Sequence, residues 1–355
     1  MKPFANITSL QPFPISPRNS PEAILSMLQK TSCTRILTTS PSLGGLISQV
    51  IALAPFKVEE SPTISQCYPF LGHETASHSF ESYPALSDEL DLDRVIFYLH
   101  SSGSTGFPKP IPQTSRTVLS WFSLGTLLFT FFVNTRSLMT QHPDAFISFR
   151  DIKRIGGAHL PPFHALGINM QLFTPLSQAT SVALYPPTSI SDHLTPITVP
   201  TSDNAMEHAQ RCGVTGLLAV PSFVESWAQE SAGYDWLRGL QFVAYGGGPL
   251  ATKVGDALAR SGINIISLYG ATEFGCPTTL ELTSPQNSAD DRSASESLEW
   301  AYMRFSKGVN VRWVPQGDGT FESQFLVRSF LHPYIVVPIT DTINPSRRRS
   351  FTKCA

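Results

Sequence analysis

Leu217-Leu218-Ala219-Val220 and Phe242-Val243-Ala244-Tyr245 are two unbroken apolar runs, separated by a helical pattern over 221–231. Side chains alternate across a strand, so four consecutive apolar residues leave no face for water. Both faces must be covered, which is the condition of a strand inside a parallel sheet. Working outward, a helical pattern over 250–261 leads to a third run, Ile263 to Tyr269, and another over 203–212 precedes the first. Val182-Ala183-Leu184-Tyr185 and Val95-Ile96-Phe97-Tyr98-Leu99 read as further strands. Strands alternating with helices predict an α/β fold of mostly parallel sheets flanked by helices. Near the start, Ser20-Pro21 opens a helix with an apolar face at Ala23, Ile24, Met27 and Leu28, and Arg35 to Thr39 follows as a strand. Residues 59–93 and 283–298 lack period and read as loop. Trp300 to Phe325 predicts two or three strands with Gly317-Asp318-Gly319 as a hairpin turn, and pattern is lost from Leu326 onward.

Composition bounds the function. The 355 residues are 41% hydrophobic and 15% charged, against ~25% charged in an ordinary domain, which excludes a disordered acidic or basic chain. A formal net charge of -2 leaves no basic footprint for nucleic acid, and Arg347-Arg348-Arg349 reads as a solvated tail. The five cysteines are odd in number and without a C-x-x-C, so they predict reduced thiols and a cytoplasmic protein, with neither disulfide framework nor structural zinc. No secretory signal is readable. The 13 residues from Trp121 to Val133 fall short of the ~20 a spanning helix needs, and are expected to form a buried helix.

Ligands of open α/β sheets bind where loops leave the carboxyl ends of parallel strands. Three such loops stand out. In the first, His100-Ser101-Ser102-Gly103-Ser104-Thr105-Gly106-Phe107-Pro108-Lys109, glycines turn backbone N–H groups toward one point, hydroxyls add donors and a lysine adds charge. That suits a polyphosphate, although the spacing is not that of a Walker loop. The second, Tyr245-Gly246-Gly247-Gly248, serves a close backbone approach or a plain turn equally well. The third, Tyr269-Gly270-Ala271-Thr272-Glu273, offers an aromatic for a base, a hydroxyl for a phosphate and a carboxylate for Mg²⁺; alone, Glu273 reads as a helix-start carboxylate. A fourth segment, His159-Leu160-Pro161-Pro162-Phe163-His164-Ala165-Leu166-Gly167, lacks the spacing of a zinc pair, and a buried, hydrogen-bonded histidine is its plain reading. There is no G-x-S-x-G elbow of a serine hydrolase.

Together these four motifs, in this order over roughly residues 15–325, resemble the adenylate-forming (AMP-binding) superfamily, in wording closest to fungal nonribosomal-peptide-synthetase-like and aminoadipate-reductase-like adenylation domains. The resemblance implies ATP-dependent activation of a small carboxylic acid as an acyl-adenylate, with a carrier-protein or CoA thiol as acceptor in a full-length relative. It implies that Ser101, Ser102, Gly103, Ser104, Thr105, Gly106 and Lys109 embrace the ATP phosphates. Gly246, Gly247, Gly248, Tyr269 and Gly270 would flank the adenine of ATP or AMP, Thr272 would touch the α-phosphate, and Glu273 would hold Mg²⁺. Phe163, His164, Gly167, Val220 and Tyr245 would line the acyl pocket, with Lys109, His164 and Glu273 closest to the chemistry. Neither a Tyr-Arg-Thr-Gly-Asp-like ribose grip nor the late lysine of the family's mobile lid is readable. The sequence thus reads as an incomplete adenylation domain over 15–325 with an unpatterned tail over 326–355, shortened at both ends. A non-catalytic ATP/AMP-binding remnant is the alternative.

Overall fold

A computed structural model describes residues 10–75, 77–78, 91–101, 106–119, 121, 154–178, 180–185, 199–278, 300–303, 305, 309–326 and 352–353. The apolar stretch after Trp121 and the loop over 283–298 lie outside the described residues. The chain divides into two compact units: Met1–Ser115 with Tyr185–Val199, and Arg116–Leu184 with Pro200–Ala355.

In the first unit the helix Pro21–Lys30 starts where expected. Ser20 is extended, its Oγ accepts from the Ala23 N–H at 3.3 Å, and proline occupies the first turn, where its missing donor costs nothing. Ile24 and Leu28 of this helix bury with Val50 of the helix Ser40–Leu53. Strand β1 (Arg35–Thr38) pairs in parallel with β2 (Lys57–Glu60). The end of β2 and a short capped helix, Ile64–Cys67, stand where the sequence reads as loop from residue 59. Strand β3 (Val95–Ser101) pairs antiparallel with β4 (Lys109–Thr114), Ser101 opposite Lys109. The phosphate-type loop is therefore the turn of a hairpin, not the exit of a parallel strand. Pro108-Lys109-Pro110-Ile111-Pro112 carries three prolines and gives no strand signal; as one side of a two-stranded pair it can leave their missing donors outward.

The second unit holds a five-stranded sheet in the order β6-β5-β7-β8-β9, parallel throughout. Its strands are β5 (Ile155–Gly156), β6 (Val182–Ala183), β7 (Gly216–Ala219), β8 (Phe242–Gly246) and β9 (Ile265–Leu268). Every residue of β7 and β8 is buried, as the unbroken apolar runs require. Leu217, Ala219, Val243, Tyr245 and Ile265 face the helices Pro221–Gln229 and Thr252–Arg260 together with Trp300. Leu218, Phe242, Ala244 and Ile266 take the other face with Ile155, Leu160 and Met170. Gly216 lets two strands share one aromatic: a Cβ there would stand 2.2 Å from the Phe242 ring. A second helix, Ser231–Arg238, follows Pro221–Gln229 where the sequence shows a single helical pattern.

Beyond the sheet, β10 (Tyr302–Met303) pairs with β13 (Thr352–Lys353), so at least those two residues of the tail are ordered into a strand. β11 (Asn310–Pro315) and β12 (Phe321–Leu326) form the expected hairpin. Its turn uses Gly317 and Gly319 at φ 87° and 86°, and the Gln316 N–H donates to the Thr320 carbonyl at 3.0 Å.

Candidate functional site

In the first unit, β3 delivers Ser101 and β4 delivers Lys109 to the two ends of one hairpin loop. The strand is anchored from inside. His100 is buried, its Nε2 accepts from the Ser16 N–H at 3.1 Å, and the Tyr98 N–H donates to the Pro12 carbonyl at 3.0 Å. Lys109 is exposed at the start of β4, and Gly106 takes φ 147°, open to a residue without Cβ. Ser102, Gly103, Ser104 and Thr105 lie outside the described residues.

In the second unit the other three segments gather at the carboxyl edge of the parallel sheet. Gly246, the last residue of β8, is where they meet. A Cβ on it would stand 3.2 Å from the Leu268 carbonyl oxygen of β9 and 3.7 Å from Cδ2 of Leu166. Gly247 and Gly248 are exposed, and Gly247 takes φ 86°, which glycine alone adopts without strain. The Ala251 N–H behind them donates to Oε1 of Glu225 at 2.9 Å. Val220 sits at the end of β7, half-buried, where the helix Pro221–Gln229 begins.

The histidine segment folds into a tight turn leading into the short helix Ala165–Ile168. Gly167 is obligatory there, because a Cβ would fall 1.9 Å from the Pro161 carbonyl oxygen. His164 is exposed at the helix start, with the Phe163 ring 5.0 Å away. The buried histidine is instead His159, stacked on Phe223 at 5.0 Å and edge-on to Trp227 at 6.2 Å. Its Nε2 has no hydrogen-bond partner among the described residues, and burial, with a smaller contribution from His208, lowers its pKa to about 4. Tyr245 is 2% exposed, and its ring turns to the face of Trp300, opposite the face of Leu166. Only its backbone reaches the edge where Gly246 and Leu166 meet.

The third loop is a closed turn rather than a helix start, so Glu273 is not a helix-capping carboxylate. The Ala271 N–H donates to the Gly275 carbonyl at 3.0 Å and the Gly275 N–H returns to the Ala271 carbonyl at 2.8 Å, leaving Thr272 and Glu273 at the tip. At the base, Thr278 Oγ1 accepts from the Tyr269 N–H at 3.2 Å. Gly270 has no room for a side chain, since a Cβ would stand 2.4 Å from the Gly275 carbonyl oxygen. Glu273 is half-buried and has no hydrogen-bond or ion-pair partner among the described residues, a setting that fits a cation. Those residues contain no group of three metal-ligating side chains, so any cation there would need ligand oxygens from elsewhere. Two neighbours of this loop belong to no motif: Trp121, whose ring lies against Gly275, and Phe325, which stacks on Tyr269.

The described cysteines Cys33, Cys67, Cys212 and Cys276 are free, and no described helix is long and apolar enough to cross a membrane. A family model described as "AMP-binding enzyme" matches residues 9–298. Adenylate-forming reductase Nps9 of Serpula lacrymans var. lacrymans is 42% identical over 322 residues, covering 90% of this chain and 27% of that protein. Adenylate-forming reductase Nps11 of the same fungus is 38% identical over 333 residues, covering 93% and 28%. The chain thus spans little more than a quarter of the length of these curated relatives. Among solved structures, a malonyl-CoA ligase ternary product complex with methylmalonyl-CoA and AMP is similar at TM-score 0.63 and 16% identity, over 99% of this chain and 67% of that one. The o-succinylbenzoate CoA synthetase of Bacillus subtilis, with its acyl-adenylate intermediate OSB-AMP, is similar at TM-score 0.57 and 16% identity, over 94% and 60%.

Proposed function

Because the chain belongs to the AMP-binding enzyme family, we propose that it binds ATP and activates a small carboxylic acid as its acyl-adenylate. The observation that supports this most is the meeting of the glycine, histidine and Tyr269–Glu273 segments around Gly246. In the proposed reaction a carboxylate oxygen of the acid attacks the α-phosphorus of ATP. A new P–O bond forms, the bond from that phosphorus to the bridging oxygen breaks, and pyrophosphate leaves. Such a transfer is governed by positioning and by stabilising charge on the phosphate oxygens.

Each residue then has a task. Ser101, Ser102, Ser104, Thr105 and the backbone of Gly103 and Gly106 donate to the β- and γ-phosphates, and Lys109 neutralises them. Gly246, Gly247 and Gly248 allow the adenine to lie against bare backbone, with Tyr269 and Gly270 beside it. Thr272 donates to the α-phosphate. Phe163, His164, Gly167, Val220 and the backbone of Tyr245 border the acid. Glu273 is the residue to hold Mg²⁺, which when bound supplies charge neutralisation on the phosphates. A CoA or carrier-protein thiol is the proposed acceptor of the acyl group.

Lys109→Ala tests the reading at its most exposed point. It removes one charge from the phosphate loop and nothing from the acyl side. ATP affinity by isothermal titration should fall about tenfold, equivalent to ~1.4 kcal/mol, with affinity for the acid unchanged. Unaltered ATP affinity would remove the hairpin loop from the site. Pyrophosphate exchange across a panel of carboxylic acids then separates an activating enzyme from a nucleotide-binding remnant, which would bind ATP and exchange nothing.

A further inference from the structure

Thr272 and Glu273 can act on a nucleotide only if the turn that carries them points in one direction. The turn's own backbone bonds, between Ala271 and Gly275, fix its shape. They do not fix its direction, which depends on what the flanking residues lean on: Thr278 at the base, the Trp121 ring against Gly275, and a ring beneath the two aromatics. Tyr269 and Phe274 bracket the tip, their ring centroids 5.9 Å apart, and both rest on the same ring. Phe325 of β12 lies 6.2 Å from Tyr269 at an interplanar angle of 29° and 5.0 Å from Phe274 at 35°. It is 6% exposed and is backed in turn by Phe305 at 5.4 Å, which meets Trp313 at 6.0 Å. β12 is paired with β11 along its length, Phe325 opposite Val311, so the ring is presented from a continuously paired hairpin.

We infer that Phe325 is a positioning residue for the nucleotide loop: it holds Tyr269 and Phe274 and thereby aims Thr272 and Glu273. The inference rests on the proposed function, since it concerns the residues assigned there to adenine, α-phosphate and Mg²⁺. Phe325 acts through the loop and is not itself a catalytic residue. A side chain that merely filled the core would be replaceable by any apolar group of similar size. One that aims the loop through ring contacts would not be.

The test uses the full chain, with AMP as probe of the adenine and α-phosphate residues and tripolyphosphate as probe of the hairpin loop over 101–109. Phe325→Leu should weaken AMP binding about tenfold, equivalent to ~1.4 kcal/mol, and leave tripolyphosphate affinity unchanged. Phe305→Leu thins the same cluster one ring further from the loop and should leave AMP affinity within about twofold of the parent. All five tryptophans lie in the second unit, so their fluorescence reports whether that unit has folded. If Phe325→Leu does not fold, Phe325→Met keeps length and apolarity and carries the same expectation. Parental AMP affinity in the Phe325 variant overturns the inference, and so does an equal loss in the Phe325 and Phe305 variants, which would mean simple loosening. A parent chain that binds tripolyphosphate and no AMP overturns the adenine assignment of the proposed function and this inference with it.

Discussion

Gly275→Ala is expected to unfold the second unit or bring it to the edge of unfolding. Two costs add at this position. The residue holds φ 74°, where a side chain costs about 1–2 kcal/mol. A Cβ would also stand 2.2 Å from Nε1 and 2.4 Å from Cδ1 of Trp121, a ring only 8% exposed and unable to yield like the end of a flexible chain. Overpacking of this kind costs a further ~1–3 kcal/mol, giving a sum of ~2–5 kcal/mol out of a total domain stability of ~5–15. Gly262 separates the two terms. It has φ 81° and nothing within 4 Å of its Cβ position, so Gly262→Ala should show the backbone cost alone. Urea unfolding followed by tryptophan fluorescence should therefore rank the parent above Gly262→Ala and both well above Gly275→Ala. Equal midpoints for the two variants would show that the Trp121 ring does not press on the turn.

Acid should weaken the same unit through one residue. His159 in the fold titrates at about 4 against an ordinary 6.5, so the fold favours the neutral imidazole. Between pH 6.5 and 4 the unfolded chain binds the extra proton, and stability rises with pH across that window. The stabilisation is complete above 6.5, and acidification to 4 removes up to about 3 kcal/mol. His159→Phe keeps a flat ring against Phe223 and removes the proton. The fall in stability between pH 7 and 4.5 should then be about 2–3 kcal/mol smaller in the variant than in the parent. Identical pH dependence of the two proteins would show that His159 is solvated in the folded chain.

The central strands were legible because their burial on both faces writes itself as unbroken apolar sequence: β7, β8 and β9 fall within two residues of the runs that announce them. β5 is not legible, because Ile155–Gly156 is two residues long and carries no period. The direction of β3 was lost for a different reason: its partner β4 is proline-rich, and pairing is not a property of one strand's own residues. The glycine-bearing loops declared themselves through residue types that few other needs explain. What holds those loops did not. Trp121, Thr278 and Phe325 are ordinary core residues in sequence and acquire a role only through neighbours far along the chain. Between the two histidines of one segment, spacing gave no ranking, whereas burial separates a solvent-facing His164 from a sequestered His159.

The sheet order β6-β5-β7-β8-β9 also carries a history of assembly. Gly216 of β7 meets Phe242 of β8 across two short helices, and Val243 of β8 meets Ile265 of β9 across one; Ile155 of β5 meets Gly216 across more than twice either length of chain. The added loop-closure entropy is small, under about 1 kcal/mol, but it is lost before any contact repays it. The three carboxyl-proximal strands can thus condense as a local nucleus, with β5 and β6 docking onto a surface already made. Pulse-labelled amide exchange should protect Leu217–Ala219 and Val243–Tyr245 ahead of Ile155–Gly156, and simultaneous protection would mean that the sheet closes in one step. The edge that gathers the glycine, histidine and Tyr269–Glu273 segments would then be completed by the last strands to arrive, so the capacity to bind would appear only at the end of folding.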